Sequence, residues 1–325
     1  MAFYRGLLGL TAGTFLAMSG AFAQSYPTRQ IKLVVPFAAG GPTETVARLI
    51  AQKMAVDLGQ KIVVEDVSGA GGTLGAGKVA TAEPDGYTLL LHHIGFAASA
   101  TLYRKLAYDT LNAFEYVGLV TEVPMSFVAR KDFPPSDLKS LIDYLKVNAA
   151  MVTMANATVG GASHLCGMML MSAIKTKLKT VPYKGTGPAM TDLLAGKIDF
   201  MCDQTTNTVE HTKSGAIKAY AVTTPVRLTV LPDVPTATES GLTGLNVSVW
   251  HGVFTPKNTP AAVNQRLSTA LQKALADPDL VARFAGLGTV PSSAADATPA
   301  ALKGLVEAEI PRWKVLIEEA GVYAD

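Results

Sequence analysis

Short runs of branched apolar residues alternate with helical stretches along most of the chain. "IKLVVPF" (Ile31–Phe37) is apolar on both faces, which predicts a buried parallel strand. From Thr43 to Leu58, Val46, Leu49, Ile50 and Met54 recur at helical spacing. "KIVVED" (Lys61–Asp66) reads as the next strand, "SGAGG" as a turn into a helix ending at Val79, and "YTLLL" (Tyr87–Leu91) as a third strand. Tyr116–Arg130 reads as two strand halves interrupted at Glu122–Pro124, long enough to pass from one domain to another.

The same pattern then restarts. Ser136–Asn148 predicts a helix and "MVTMAN" (Met151–Asn156) a strand, followed by a Gly-rich turn into "SHLCGMMLMSAI". "KTVPY" (Lys179–Tyr183), "KIDFMCD" (Lys197–Asp203) and "IKAYAVTT" (Ile217–Thr224) are further strands, and "KGTGPAMTDLLAG" is a turn and helix. "NVSVWHGVF" (Asn246–Phe254) reads as a second crossing strand, and helices follow at Pro260–Ala276, Asp279–Leu287 and Pro299–Ala320. Two α/β domains joined by two crossings place a cleft between them, and ligands of open parallel sheets sit beyond the C-terminal strand ends. Those ends carry "FAAGGPT", "SGAGG", "HHIGF", "NATVGGAS", "YKGTG" and "CDQTTN".

Composition narrows the class. With 325 residues, at roughly 150 per domain, two domains are expected. Hydrophobic residues at 49% and charged ones at 17% fit a compact globular protein. The formal charge of +2 offers no long-range field for nucleic acid or anionic lipid. The N-terminus has the layout of a secretory signal: Arg5, the apolar "GLLGLTAGTFLAMSG", and a small-x-small site at Ala21–Ala23. Cleavage after Ala23 would release a periplasmic protein, with no lipobox-type cysteine. In that oxidising compartment Cys166 and Cys202 would form a disulfide closing roughly 35 residues, contributing about 2–4 kcal/mol. The alternative is two buried thiols.

The Gly-rich turns carry the candidate chemistry. Pro42 suits the first position of a helix. The N–H groups of Gly40, Gly41 and Thr43 then become candidate anion donors at a helix N-terminus. "VGGAS" and "KGTGP" repeat the device after later strands. Other chemistries fare poorly. "GTLGAGKV" (Gly72–Val79) imitates a P-loop but ends in Val79, without the hydroxyl that Mg²⁺ needs. His92 and His93 are adjacent on a strand end and diverge, while His164, His211 and His251 stand apart, so no metal site is expected. No G-x-S-x-G occurs, and Ser163, His164 and Cys166 diverge on a helix, so no enzyme and no cofactor is expected. Glu44, at the third helical position, suits the helix dipole but would repel a nearby carboxylate, which leaves it capping its own helix or contacting ligand through water.

Taken together, "YPTRQIKLVVPFAAGGPTE", "SGAGGTLGAGKVATAEPDGYTLL", "LYRKLAYD", "VPYKGTGPAMTDLLAGKIDFMCD" and "LPDVPTATESGL" resemble the Bug family, the TctC-like periplasmic receptors of tripartite tricarboxylate transporters. The resemblance covers nearly the whole mature chain in order. It implies a two-domain Venus-flytrap of the type II periplasmic binding protein class, with residues 24–122 and 246–325 in one domain and 123–245 in the other. It implies a monomer that closes around a small organic acid and presents it to membrane subunits. The alternative is an orphan receptor reporting the acid to a sensor kinase.

Carried over by position, the resemblance implies a ligand site in both domains. The first-domain loop supplies Phe37, Ala39, Gly40, Gly41, Thr43 and Glu44, and the next wall Ile94, Gly95 and Phe96. The second domain supplies Asn156, Gly160, Gly161, Ala162 and Ser163, then Tyr183, Gly185 and Thr186, then Asp203 and Gln204. Two departures stand out. Thr43-Glu44 replaces the usual Thr-Asp, and "TVGGAS" has fewer hydroxyls than the usual Ser/Asn-Gly-Thr-Ser, which shifts weight to backbone donors there.

Overall fold

A computed structural model describes residues 26–324, so the signal segment lies outside the described residues. The first half runs β1 (Ile31–Val35), α1 (Pro42–Leu58), β2 (Ile62–Asp66), α2 (Thr73–Ala80), β3 (Thr88–His93), α3 (Gly95–Leu102) and β4 (Phe114–Arg130). Then come α4 (Leu138–Asn148), β5 (Thr153–Asn156), α5 (Ala162–Ile174), β6 (Lys179–Pro182), α6 (Thr186–Leu194), β7 (Phe200–Gln204), α7 (Thr205–Lys213) and β8 (Ile217–Val222). The chain closes with β9 (Ser248–Pro256), α8 (Ala261–Leu275), α9 (Pro278–Gly286), β10 (Val290–Pro291) and α10 (Pro299–Ala320).

The strands lie in the order β2-β1-β3-β9-β4-β7-β5-β6, with β8 and β10 also on β4. β1 is parallel to β2 and β3, and β5 is parallel to β6 and β7. β4 is the shared element. It pairs antiparallel with β9 through Pro124 and with β7 from Met125 onward. The predicted interruption at Glu122–Pro124 is therefore a change of partner inside one continuous strand. Pro124 donates no N–H, and it stands where one ladder ends and the next begins. The predicted return crossing, Asn246–Phe254, shifts: β9 pairs only with β3 and β4, and the chain changes lobe just before it, where Val247 accepts a 2.6 Å bond from Thr223 Oγ1.

α1 shows why these sequences make these elements. Pro42 opens it, and Val46, Ile50, Met54 and Leu58 are buried at four-residue spacing. It stops at Gly59, whose φ of 68° is left-handed and whose N–H caps the Ala55 carbonyl. The apolar face packs on the fully buried Ile31, Val34 and Val35 of β1. Cys166 on α5 and Cys202 on β7 are disulfide-bonded, with Cα atoms 6.1 Å apart. No described helix is long and apolar enough to cross a membrane. Both sets of parallel strands end toward the other lobe, so their following turns meet. Ala38 N–H donates to the Lys184 carbonyl at 3.3 Å, and the Tyr103 hydroxyl donates to the Val159 carbonyl at 3.0 Å.

Candidate functional site

Where the turns meet, Phe37, Gly41, Pro42, Thr43 and Glu44 face Gly161, Ala162, Ser163, Gly185, Thr186 and Gln204. Ala38, His93, Ala157 and Thr158 complete the wall. The pocket is partly open and its free space is ≈ 20 Å³, room for about one water, so a larger ligand needs its walls to move apart. None of these lining residues is a lysine or arginine. Four helices begin here, α1, α5, α6 and α7, with their N-caps Gly41, Gly161, Gly185 and Gln204 on the wall, and the first-turn N–H groups of each have no intrahelical partner. An anion placed here meets helix dipoles and N–H donors, not a fixed cation.

The two jaws are built alike. Gly40 and Gly160 adopt left-handed backbone, with φ of 77° and 82°. Gly41 and Gly161 follow as extended N-caps. In the first jaw Glu44 Oε2 accepts the Gly40 N–H at 2.6 Å, and its Oε1 accepts from Arg48 Nε at 2.7 Å. In the second jaw His164 Nδ1 accepts the Gly160 N–H at 3.2 Å. Glu44 thus braces the turn that starts its own helix. The expectation that Gly40 donates to a ligand is corrected, because Glu44 already holds its N–H. Gly160 is engaged in the same way, and Gly161 N–H donates to the Thr158 carbonyl at 3.1 Å. The remaining donors lie one or two residues deeper, in the first helical turns.

Several expected site residues lie elsewhere. Phe96 is fully buried among Tyr108, Phe114 and Phe254, 4.7 Å from the last ring, in the core of the first lobe. Ile94 is buried outside the pocket wall, and Gly95 packs against the Gly160 carbonyl. His93, one residue earlier on β3, takes the pocket side instead, stacked on Phe37 at 4.4 Å. Tyr183 turns away to donate to Asp192 Oδ2 at 2.8 Å. Asp203 is buried behind the wall, accepting from Gln204 N–H at 2.8 Å and Asn207 Nδ2 at 2.5 Å. Burial without a cationic partner pushes its carboxyl up to about 7. Ala39 and Gly40 border an outer groove, and Asn156 lies below the second turn with a buried, unpartnered Oδ1.

His251 does not stand apart. β9 sets it opposite His93, with rings 5.9 Å apart, and Thr43 Oγ1 lies 3.4 Å from its Nε2. His92 Nδ1 accepts the His93 N–H at 2.8 Å, and His93 Nδ1 accepts the Gly95 N–H at 3.0 Å. Both rings are therefore neutral with the proton on Nε2, which leaves His93 Nε2–H as a donor on a pocket-lining ring. Burial drives His92 and His251 down to about 3. The alternation of His92 and His93 along a strand end was the one signal in the sequence for this wall. Two further polar groups at the wall, Ser163 Oγ and Gln204 Oε1, are buried without a hydrogen-bond partner. Buried polar atoms without partners are rare and mark places where a ligand or water completes the bonding.

An α/β fold with two lobes closing on a dipole-lined pocket defines a type II periplasmic binding protein. Residues 46–322 match the TctC family, described as tripartite tricarboxylate transporter family receptors, and the chain belongs to that family. The periplasmic binding protein BugD has a similar structure, with a TM-score of 0.90 at 49% identity, covering 92% of this chain and 100% of that one. MatC from Rhodopseudomonas palustris, solved with bound malate, gives 0.87 at 42% identity, covering 90% of this chain and 100% of MatC. Rpa4515 of R. palustris, solved with adipate, gives 0.87 at 31% identity, covering 92% of this chain and 99% of its own. The chain is a periplasmic solute-binding protein, not an enzyme.

Proposed function

We propose that this receptor closes around a small organic acid and delivers it to the membrane subunits of a tripartite tricarboxylate transporter. The observation that carries the reading is convergence. Four helix N-termini and the unpartnered Ser163 Oγ and Gln204 Oε1 surround one pocket that has no lysine or arginine in its wall. Such a site holds a carboxylate by backbone donors and hydroxyls, and desolvating it needs no buried ion pair. The malate and adipate complexes of MatC and Rpa4515 favour the same ligand class. The ligand site consists of Phe37, Gly41, Thr43, Glu44 and His93 from the first lobe and Gly161, Ala162, Ser163, Gly185, Thr186 and Gln204 from the second.

Closure follows from touching both walls at once. A ligand shifts the open–closed equilibrium only by its preference for the closed form, and contacts from both lobes provide that preference. The hinge lies where β4 changes partner and where the chain re-enters β9, which divides residues 24–122 and 246–325 from 123–245. The mature protein begins at Gln24, which intact mass of the exported chain checks.

A thermal-shift screen of short mono- and dicarboxylates tests the ligand class. An acid at a hundred times its Kd stabilises by about 2.7 kcal/mol. Absence of any shift across the panel would overturn the reading. Uptake of the identified acid in cells lacking the receptor separates transport from sensing. Normal uptake with a lost transcriptional response would assign the protein to a sensor kinase.

A further inference from the structure

Beside the pocket the Ala38–Gly40 and Lys184–Gly187 loops of the two lobes meet through closely apposed main chain. Ala38 N–H donates across to the Lys184 carbonyl at 3.3 Å. A Cβ on Gly187 would lie 2.5 Å from the Ala39 carbonyl oxygen and 3.0 Å from the Gly40 carbonyl carbon. A Cβ on Gly185 would lie 3.1 Å from both the Ala38 methyl and the Ala38 nitrogen. Every close neighbour of these two missing side chains belongs to the opposite lobe. Gly187 has no left-handed φ, so its own backbone accepts alanine without strain. It does not line the pocket. With Ala39, Gly40, Pro188 and Leu194 it borders the outer groove of ≈ 470 Å³.

We infer that Ala38–Gly40 and Lys184–Gly187 form a latch that holds the lobes together in part without ligand, and that Gly187 is the residue that sets closure. The inference rests on the receptor reading for the purpose of closure, not for its existence. Backbone can approach backbone this closely only where no Cβ intervenes, and a methyl at position 187 must push the Ala39–Gly40 loop away. Because Gly187 itself lies outside the pocket wall, it controls the fraction of closed receptor without touching a ligand contact. Apparent affinity for any acid then scales with that fraction.

Small-angle scattering of the full mature chain tests this. The protein is first freed of small molecules by unfolding in guanidinium with the disulfide intact, then refolded. Gly187→Ala is expected to raise the radius of gyration beyond replicate error with an unchanged melting temperature. Gly286→Ala, where a Cβ meets nothing within 4 Å, is expected to match the parent. If Gly187→Ala fails to fold, Gly185→Ala makes the same measurement from the neighbouring contact. A radius of gyration equal to the parent's in the folded variant overturns the latch. Failure of every acid to bind would remove the receptor reading and leave this comparison standing.

Discussion

The Gly-Gly-Pro-Thr-Glu start of α1 and the Gly-Gly-Ala-Ser-His start of α5 fold into one backbone device with different chemistry at its end. In each, a left-handed glycine gives its N–H to the side chain four residues on, Glu44 in one and His164 in the other. In each, a hydroxyl residue precedes that acceptor, Thr43 or Ser163. The first jaw thus carries a carboxylate braced by Arg48, while the second carries an imidazole that burial holds neutral, its pKa lowered to about 4. The Thr43 hydroxyl reaches His251, whereas the Ser163 hydroxyl has no partner. The lesson is that equivalent loops need not be equivalent sites. Under the receptor reading, the second jaw, with no carboxylate in its first turn and a free hydroxyl, is the one expected to hold the ligand carboxylate.

The largest effect should come from filling the two N-cap glycines. A Cβ at Gly41 would lie 3.0 Å from Thr186 Oγ1 in the opposite lobe, while one at Gly161 would lie 2.7 Å from Thr158 Cγ2 in its own loop. Gly41→Val should weaken acid binding about a hundredfold, about 2.7 kcal/mol, and leave unliganded stability intact. Gly161→Val should also lower stability by about 1–3 kcal/mol through overpacking. Titration calorimetry and melting of both variants decide this, and equal losses of stability would break the distinction.

Next is pH. His164 is neutral in the folded chain and takes a proton in the unfolded chain below the ordinary value of 6.5. Its contribution is complete above that value and is lost as pH falls toward about 4, by on the order of 3 kcal/mol at the lower end. Asp203, raised to about 7, titrates in the opposite sense: the folded state prefers its protonated form, so stability gains as pH falls from there toward the ordinary carboxylate value. Denaturant melts across this range should flatten on the acid side in His164→Gln, whose amide oxygen can still accept the Gly160 N–H. An unchanged profile would show that His164 is not the acid-sensitive group of the second jaw.

The hydroxyls sharpen the contrast at smaller scale. Ser163→Ala should cost about 1–2 kcal/mol of binding and no stability, because its oxygen has no protein partner to lose. Thr43→Val should instead lose stability, since it leaves His251 Nε2 without its neighbour. Smallest of all is Glu44→Gln, whose amide oxygen still accepts the Gly40 N–H. Affinity should stay within about threefold, shifted toward tighter binding as a negative charge leaves the pocket wall. A tenfold loss would mean that the charge of Glu44, rather than its acceptor oxygen, is what the site requires.

The order of elements and the cleft were legible because they rest on local patterns. Apolar runs, helical spacing and Gly-Pro punctuation located β1, α1, β5, α5 and α10 to within a few residues. The polar α7 and the short α3 and β10 were missed, because the first lacks an apolar stripe and the others are too short to show a period. The family resemblance implies Phe96 in the pocket wall, yet α3 starts at once after β3 and its ring lies in the aromatic core.

By itself the sequence determined the two-lobed α/β plan, the Gly-rich turns at the strand ends and the helix starts that follow them, because each depends on residues close in the chain. Only the tertiary structure decided which N–H groups remain free, that His93 and not Phe96 faces the pocket, that His251 joins His92 and His93, and that glycines of opposite lobes meet backbone to backbone. Those outcomes depend on strand register and lobe contact between residues far apart in sequence, and no local period encodes them.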